Sequence, residues 1–274
     1  MVTDYPGTIG LRFNFINGGT SGLMSNVKIR KAISYSIDRE EMIDAVYGRY
    51  NPAYSYVAPA ITFNGSSYRS QVGEVIEDEY NEYVGDPDKI VALFQEGLDE
   101  LGVETPIEDI TLTYLTSGST TEVQAEREYI QQSLEETLGL TVELSVAGDN
   151  SLFIADRNEG NYDFFLGGWY SDYNDPLDFL YTNYTDAYGM SFGGYSNTDY
   201  DALADQLVGE TDMDKRLDIY KQMEQILLLD DCAFAPIYYA TKQVLLQNWV
   251  KDYRTSSFGA SAEFIWTYID GKNQ

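Results

Sequence analysis

The chain has no histidine in any of its 274 positions. That absence removes Ser-His-Asp and Cys-His catalysis together with every His-ligated metal site. Cysteine is nearly as scarce. Cys232 stands alone, so neither an internal disulfide nor a CxxC centre can form. Its place between Asp231 and the apolar run "AFAPIYY" reads as that of a buried structural thiol. Basic residues are few: 17 Lys and Arg face 45 Asp and Glu, for a net charge of −28. Such a polyanion repels phosphate backbones and anionic bilayers, which argues against nucleic acid as a partner. The same charge serves plain solubility, and it attracts any small ligand carrying a cationic group. No apolar run approaches the ~18 residues of a membrane-spanning helix. The opening "MVTDYPGTIGLRFNF" lacks the basic and apolar regions of a secretory signal and enters a strand at once, as if cut from something longer.

What the chain does contain is apolar and aromatic material, 43% and 14% of its residues, enough for one large or two modest domains. Residues 8–16 alternate loosely as a strand. In "SNVKIRKAISYSIDREEMIDAVYG", Val27, Ile29, Ala32, Ile33, Ile37, Met42 and Val46 gather largely on one helical face. Ser25 or Asn26 caps this helix, and Asp38 caps a second after a break. Residues 49–83, rich in Tyr, Ser, Asn and Gly, predict an ordered irregular loop over the surface.

From Asp86 the pattern sharpens. "DPDKIVALFQEGLDELG" offers Asp86 as N-cap, Pro87 at the first helical position and Gly102 as terminator. Ile90, Leu93, Phe94, Leu98 and Leu101 form its apolar stripe. "ITLTYL" alternates as a strand, a helix over about 121–138 follows with Ser119 and Glu122 as capping box, and "LTVELSV" alternates again. Strand, helix and strand make a parallel βαβ unit, which a short helix near 150–158 and the strand "YDFFLGGW" repeat. Further helices are expected at 198–208 and 213–229, the second burying Leu217, Tyr220, Met223 and Leu227. "FAPIYYATKQVLLQ" reads as two closely joined strands, and the tail as irregular with Phe264, Ile265 and Trp266 as apolar anchors.

The stretch with the most chemistry is "GGWYSDYNDPLDFL", Gly167 to Leu180, at the carboxyl end of a predicted strand, where open α/β sheets bind ligands. Its three aspartates lack the spacing, glycine and terminal glutamate of a calcium loop. Asp175 before Pro176 reads as a helix N-cap, and Asp178 falls in that helix's first turn, where its charge suits the macrodipole. Asp172 lies outside the helix, between Tyr170 and Tyr173. A carboxylate among aromatic rings can bind an ammonium group; a solvated turn aspartate is the plain alternative. Arg157 can meet a ligand carboxylate or make an ordinary salt bridge. Paired acids also permit an acidic surface hydrolase, with no acid singled out for it. Asn64-Gly65-Ser66 and Asn183-Tyr184-Thr185 match the glycosylation triplet, a pattern common by chance.

Several stretches together resemble one family. "NVKIRKAISYSIDREEM", "YSYVAPA", "GDPDKIVALFQEGLDELG", "YDFFLGGWYSDYNDPLDFL" and "FAPIYYATKQVLL" are similar, in order and spacing, to segments of the oligopeptide, dipeptide and nickel class of extracellular solute-binding proteins of ABC transporters. Departures include Ile29, Ser36, Ala58, Ala60, Ser171 and Asn174. The resemblance implies an α/β fold, a periplasmic-binding-protein-like lobe with a βαβ-built mixed sheet flanked by helices. Residues 1–20 would be a strand entering from a missing first lobe, 21–235 the second ligand-binding lobe, and 236–274 a return segment.

It further implies a non-enzymatic binding component, exported as a lipoprotein or periplasmic, that delivers a peptide to ABC permease subunits without a cofactor or metal. Other cargoes of the class, a dipeptide, a sugar oligomer or a metal chelate, stay open. By this resemblance Asp172 pairs with the peptide α-amino group. The backbone of Gly168 and Tyr170 bonds the peptide main chain, and Trp169 lines or underlies a side-chain pocket. Tyr173 flanks the acid, and Tyr238 or Tyr239 faces the cleft. Arg157 matches a basic position that in some relatives faces the peptide carboxylate, while Leu166 replaces a second basic position.

Overall fold

In the computed structural model, which describes residues 2–185, 192–258 and 262–272, apolar periodicity and caps place the elements. Strand β1 is Val2–Phe13, followed by helices α1 (Val27–Tyr35) and α2 (Arg39–Met42), the latter running into a π-helical turn, Ile43–Tyr47. Then come β2 (Asn51–Pro52), the hairpin β3 (Thr62–Phe63) and β4 (Ser66–Ser67), and helices α3 (Tyr68–Val72), α4 (Glu77–Tyr83) and α5 (Pro87–Leu101). Strand β5 (Thr111–Ser117), α6 (Thr121–Leu138), β6 (Thr141–Ala147), α7 (Asn150–Glu159) and β7 (Phe164–Tyr170) form the alternating centre. After α8 (Pro176–Leu180), α9 (Thr198–Gln206) and α10 (Met213–Gln225) come the long strand β8 (Phe234–Gln243) and two short strands, β9 (Val250–Lys251) and β10 (Tyr268–Ile269).

Six strands form one mixed sheet in the order β2-β8-β1-β7-β5-β6. The crossover helices α6 and α7 make β6, β5 and β7 parallel, while β1 runs antiparallel to β7 and β8. Period-2 alternation then sorts side chains between two covered faces. Ile9, Leu11 and Phe13 join Leu112, Tyr114, Val142 and Phe164 beneath Ile29, Phe94, Leu98, Ile130 and Leu134 of α1, α5 and α6. Phe234 and Tyr239 meet Tyr56, Phe179, Tyr200, Tyr220 and Met223 on the other face. The predicted α/β lobe, with its mixed sheet between helices, is what forms.

Caps follow local chemistry. Asn26 accepts from the amides of Lys28 and Ile29, Asp38 from Glu41 and Asp86 from Lys89. Gly102, Gly139 and Gly160 close α5, α6 and α7 in the left-handed conformation. The α6 cap is Thr120, not Ser119: its hydroxyl accepts from the Val123 amide at 3.2 Å. Cys232 is buried, and burial raises its thiol pKa to about 11, as suits a structural thiol.

Three expectations are overturned. Residues 49–83 do not drape a surface: Tyr56, Val57, Ala58, Ile61 and Tyr68 are fully buried. The cause lies far along the chain, where the fully buried Glu224 carboxylate accepts from the Tyr56 and Val57 amides, the Tyr68 hydroxyl and the Arg69 guanidinium. Residues 234–243 form one strand instead of two, because β1 pairs along it from Phe234 to Gln243 across irregularities in register. Phe264, Ile265 and Trp266 anchor nothing central. They are 67%, 84% and 59% exposed, and Phe264 meets Tyr253 while Trp266 meets Arg254, contacts within the tail itself. Asn183 is buried and accepts from Arg12 at 2.7 Å, so its triplet presents no accessible acceptor.

Candidate functional site

Strand β7 has two unlike halves. Phe164 and Phe165 pair with Tyr114 and Leu115 of β5, but from Gly167 to Tyr170 no strand among the described residues pairs on that side. The other side is fully engaged by β1, from Phe13↔Phe164 to Gly7↔Tyr170. The Ser171 amide donates to the Pro6 carbonyl at 2.8 Å. Alternation along an antiparallel ladder therefore turns the N–H and C=O of Gly168 and Tyr170 away from β1, toward the open side, while the Leu166 N–H on that side is still engaged by β5 through the Leu115↔Phe165 pairing. Two residues of open-side backbone, Gly168 and Tyr170, lie on the same strand just before Asp172. The space left by the missing Gly168 side chain faces inward: a Cβ there would stand 1.9 Å from the Thr8 carbonyl oxygen.

The loop after β7 folds around Asp178. Asp175 is the N-cap of α8, accepting from the Leu177 amide at 2.8 Å, and this turns Asp178 inward, where it is buried. One oxygen, Oδ2, accepts from the Trp169 indole at 2.9 Å, the Ser171 hydroxyl at 2.7 Å and the Asp172 amide at 2.8 Å. Trp169, half-buried, packs against the face that holds Tyr239. Asp172 is exposed, and its carboxylate makes no hydrogen bond or ion pair among the described residues. Tyr170 and Tyr173 beside it are each about half exposed. The Tyr173 carbonyl accepts from the Ser171 hydroxyl and the Asp175 amide, closing the turn that carries Asp172.

Tyr170 also walls a cleft of about 450 Å³ with Tyr5, Tyr50, Ala240, Thr241 and Lys242. Tyr5 and Tyr170 pack with ring centres 5.7 Å apart. Neither β8 tyrosine lines this space. Tyr238 is buried, stacked on Tyr50 at 4.5 Å, and Tyr239 is buried on the opposite face, donating to Glu74 at 2.6 Å. Behind the stack, the Tyr47 hydroxyl donates to Glu126. Burial raises the Glu126 pKa to about 7, against the lowering by that bond.

The sign of the Glu126 effect on stability is set by proton uptake. Between pH 4.5 and 7 the folded chain binds the Glu126 proton more tightly than the unfolded chain, so stability falls as pH rises through this window and levels off above it. Glu126→Gln is expected to flatten that window and to stabilise the chain at pH 8 by roughly 1–3 kcal/mol. Urea midpoints at pH 5 and pH 8 read this directly, and equal slopes in both proteins would contradict it.

Arg157 occupies the last turn of α7, beside the start of β7. Asp172 follows the other end of that seven-residue strand, a separation of about 20 Å along the ladder. The structure thus gathers Gly168, Trp169, Tyr170, Asp172 and Tyr173 at one end of β7. It sets Arg157 at the opposite end and buries Tyr238 and Tyr239 in the packing. Sequence reasoning passes over Asp178 as a fastening group, since the only local signal, an acid in a helix first turn, has a sufficient electrostatic explanation.

Known proteins share this chain's sequence pattern and its fold. A family model described as bacterial extracellular solute-binding proteins, family 5 middle, matches residues 2–191. The oligopeptide-binding protein OppA of Bacillus subtilis is 31% identical over 237 residues, 84% of this chain and 39% of that protein. The dipeptide-binding protein DppE of the same organism is 30% identical over 249 residues, 90% of this chain and 42% of that one. Among solved structures, Listeria monocytogenes OppA bound to peptide superposes with a TM-score of 0.78 and 30% identity, covering 98% of this chain and 50% of the other. The chain thus spans about two fifths of the length of these curated relatives.

Proposed function

Because the chain belongs to the bacterial extracellular solute-binding proteins, family 5, we propose that it is a peptide-binding lobe of an ABC importer's substrate-binding component. The observation that carries this reading is the open backbone of Gly168 and Tyr170 leading to the exposed Asp172 carboxylate. A peptide adding as a strand along that edge is held through its main chain, whatever its side chains. Asp172 then receives the α-ammonium group by charge-assisted hydrogen bonds, with Tyr170 and Tyr173 flanking it. Trp169, fixed by Asp178, borders the same end. Arg157, Tyr238 and Tyr239 take no direct part.

The component acts by binding and carries out no catalysis; its other partners are permease subunits and a further lobe that supplies the facing wall. Residues 1–20 and 236–274 are the passages to and from that lobe, although β1 and β8 also pair within this sheet. The site of action is outside the cytoplasmic membrane, periplasmic or as part of a lipoprotein. With one wall only, binding by this chain is expected to be weaker than micromolar.

NMR titration of the chain with tri-alanine and with N-acetyl-tri-alanine tests the assignment. Asp172→Asn should weaken the free-amine peptide by about tenfold or more, the cost of losing one charge-assisted bond, and leave the acetylated peptide within about twofold. Equal weakening of both, or no binding of either to the parent chain, would overturn the reading.

A further inference from the structure

We propose that Asp178 is the positioning residue of the ammonium site: it aims Asp172 and locks Trp169, so that recognition of a free amino terminus depends on it. This rests on the reading of Asp172 given above and deepens it. The argument begins with the convergence on Oδ2. Three donors from the end of β7 and the loop that follows it, the Trp169 indole, the Ser171 hydroxyl and the Asp172 backbone amide, meet on a single oxygen at 2.7–2.9 Å. Donors converging on an ionised acceptor make stronger and shorter bonds than neutral pairs. Burial of Asp178 excludes most of the water that would compete for them.

The bonded groups are the ones that decide direction. The amide of Asp172 fixes the peptide plane from which its side chain projects, while that side chain stays exposed. The single proton of the Ser171 hydroxyl is shared between Asp178 Oδ2 and the Tyr173 carbonyl, at 2.7 and 2.6 Å, a three-centre contact that spans Asp172. Ser171 is itself anchored to β1 through the Pro6 carbonyl. Asp178 sits on α8, whose start is fastened independently: Asp175 caps it and accepts from the Tyr220 hydroxyl at 2.8 Å. The loop is thus held between a helix and a strand, with Asp178 as the link. An acid needed only for the helix dipole would have no reason to be buried or to gather these donors.

Asp178→Asn tests this, because the amide keeps size and polarity but lacks the charge and can accept the three donors on one atom only at the cost of turning an NH2 toward its surroundings. Without ligand, the Trp169 indole and Asp172 amide proton resonances should both shift and both lose exchange protection by at least tenfold, while the far-strand amides of Thr113 and Val142 keep theirs. With ligand, the variant should weaken tri-alanine by about tenfold and N-acetyl-tri-alanine by less than twofold. The double variant with Asp172→Asn should be no weaker than Asp172→Asn alone, as expected when one residue acts through the other.

Additive losses would show that Asp178 contributes only its own charge, and equal loss for both peptides would show a purely structural role; either overturns the proposal. If tri-alanine fails to bind the parent chain, the reading of Asp172 fails. The ligand-free resonances still decide whether Asp178 positions the loop. Should Asp178→Asn fail to fold, Ser171→Ala removes one of the three donors, and the Asp172 amide in that variant must lose protection for the proposal to stand.

Discussion

Glu224→Ala is expected to destabilise the chain by about 3–5 kcal/mol, the range for removing one partner of a buried ion pair. Glu224 is fully buried and Arg69 nearly so. The lost carboxylate would leave a buried guanidinium without its counter-charge, and the amides of Tyr56 and Val57 without acceptors. It would also detach the Tyr68 hydroxyl. Each unsatisfied buried donor adds its own desolvation cost. Glu224→Gln, which keeps an acceptor for the amides, should lose less. Urea unfolding followed by circular dichroism measures both, and a Glu224→Ala midpoint equal to the parent's would refute this account of the second core.

Gly168→Ala should be the most damaging single-methyl addition at the candidate site, costing about 3 kcal/mol or more. The added carbon would stand 1.9 Å from the Thr8 carbonyl oxygen and 2.8 Å from the Ile9 Cα. These are backbone atoms of the paired strand and cannot rotate aside, so β1 and β7 must separate where they carry the open edge. Gly148→Ala is the control: its nearest neighbour is a Leu152 methyl at 3.4 Å, an ordinary contact, and it should change stability by less than about 0.5 kcal/mol. Thermal unfolding of the two variants side by side separates these outcomes, and similar midpoints would mean the β1–β7 approach is looser than described.

Much of the site is legible in the order of its residues. Asp175 and Pro176 announce a helix start, so the residue free of that duty, Asp172, is the one left to face solvent. The βαβ rhythm puts Gly167 to Tyr170 at the carboxyl end of a strand. Which side of that strand is open has no such signature, because it depends on where β5 stops pairing. The β8 tyrosines show a related limit. Perfect alternation would put neighbours on opposite faces, yet the register shift between Ile9 and Gly10 sends Ile237 and Tyr238 into the same core. Tyr239 goes to the other.

Sequence alone determined what depends on neighbours within a turn or a strand: the helix starts at Asp38, Asp86 and Asp175, the parallel β5–β6 unit, and the exclusion of histidine chemistry. These rest on short-range hydrogen bonds and on periods of 3.6 and 2, which composition and spacing record directly. Tertiary structure decided what depends on distant partners. The burial of Tyr56, Val57 and Tyr68 waits on a carboxylate some 160 positions later. The arrangement around Asp178 requires a strand, a loop and a helix to be folded together before three donors can find one oxygen. A buried acceptor carries no periodic signal; its value comes from the water that the completed fold excludes.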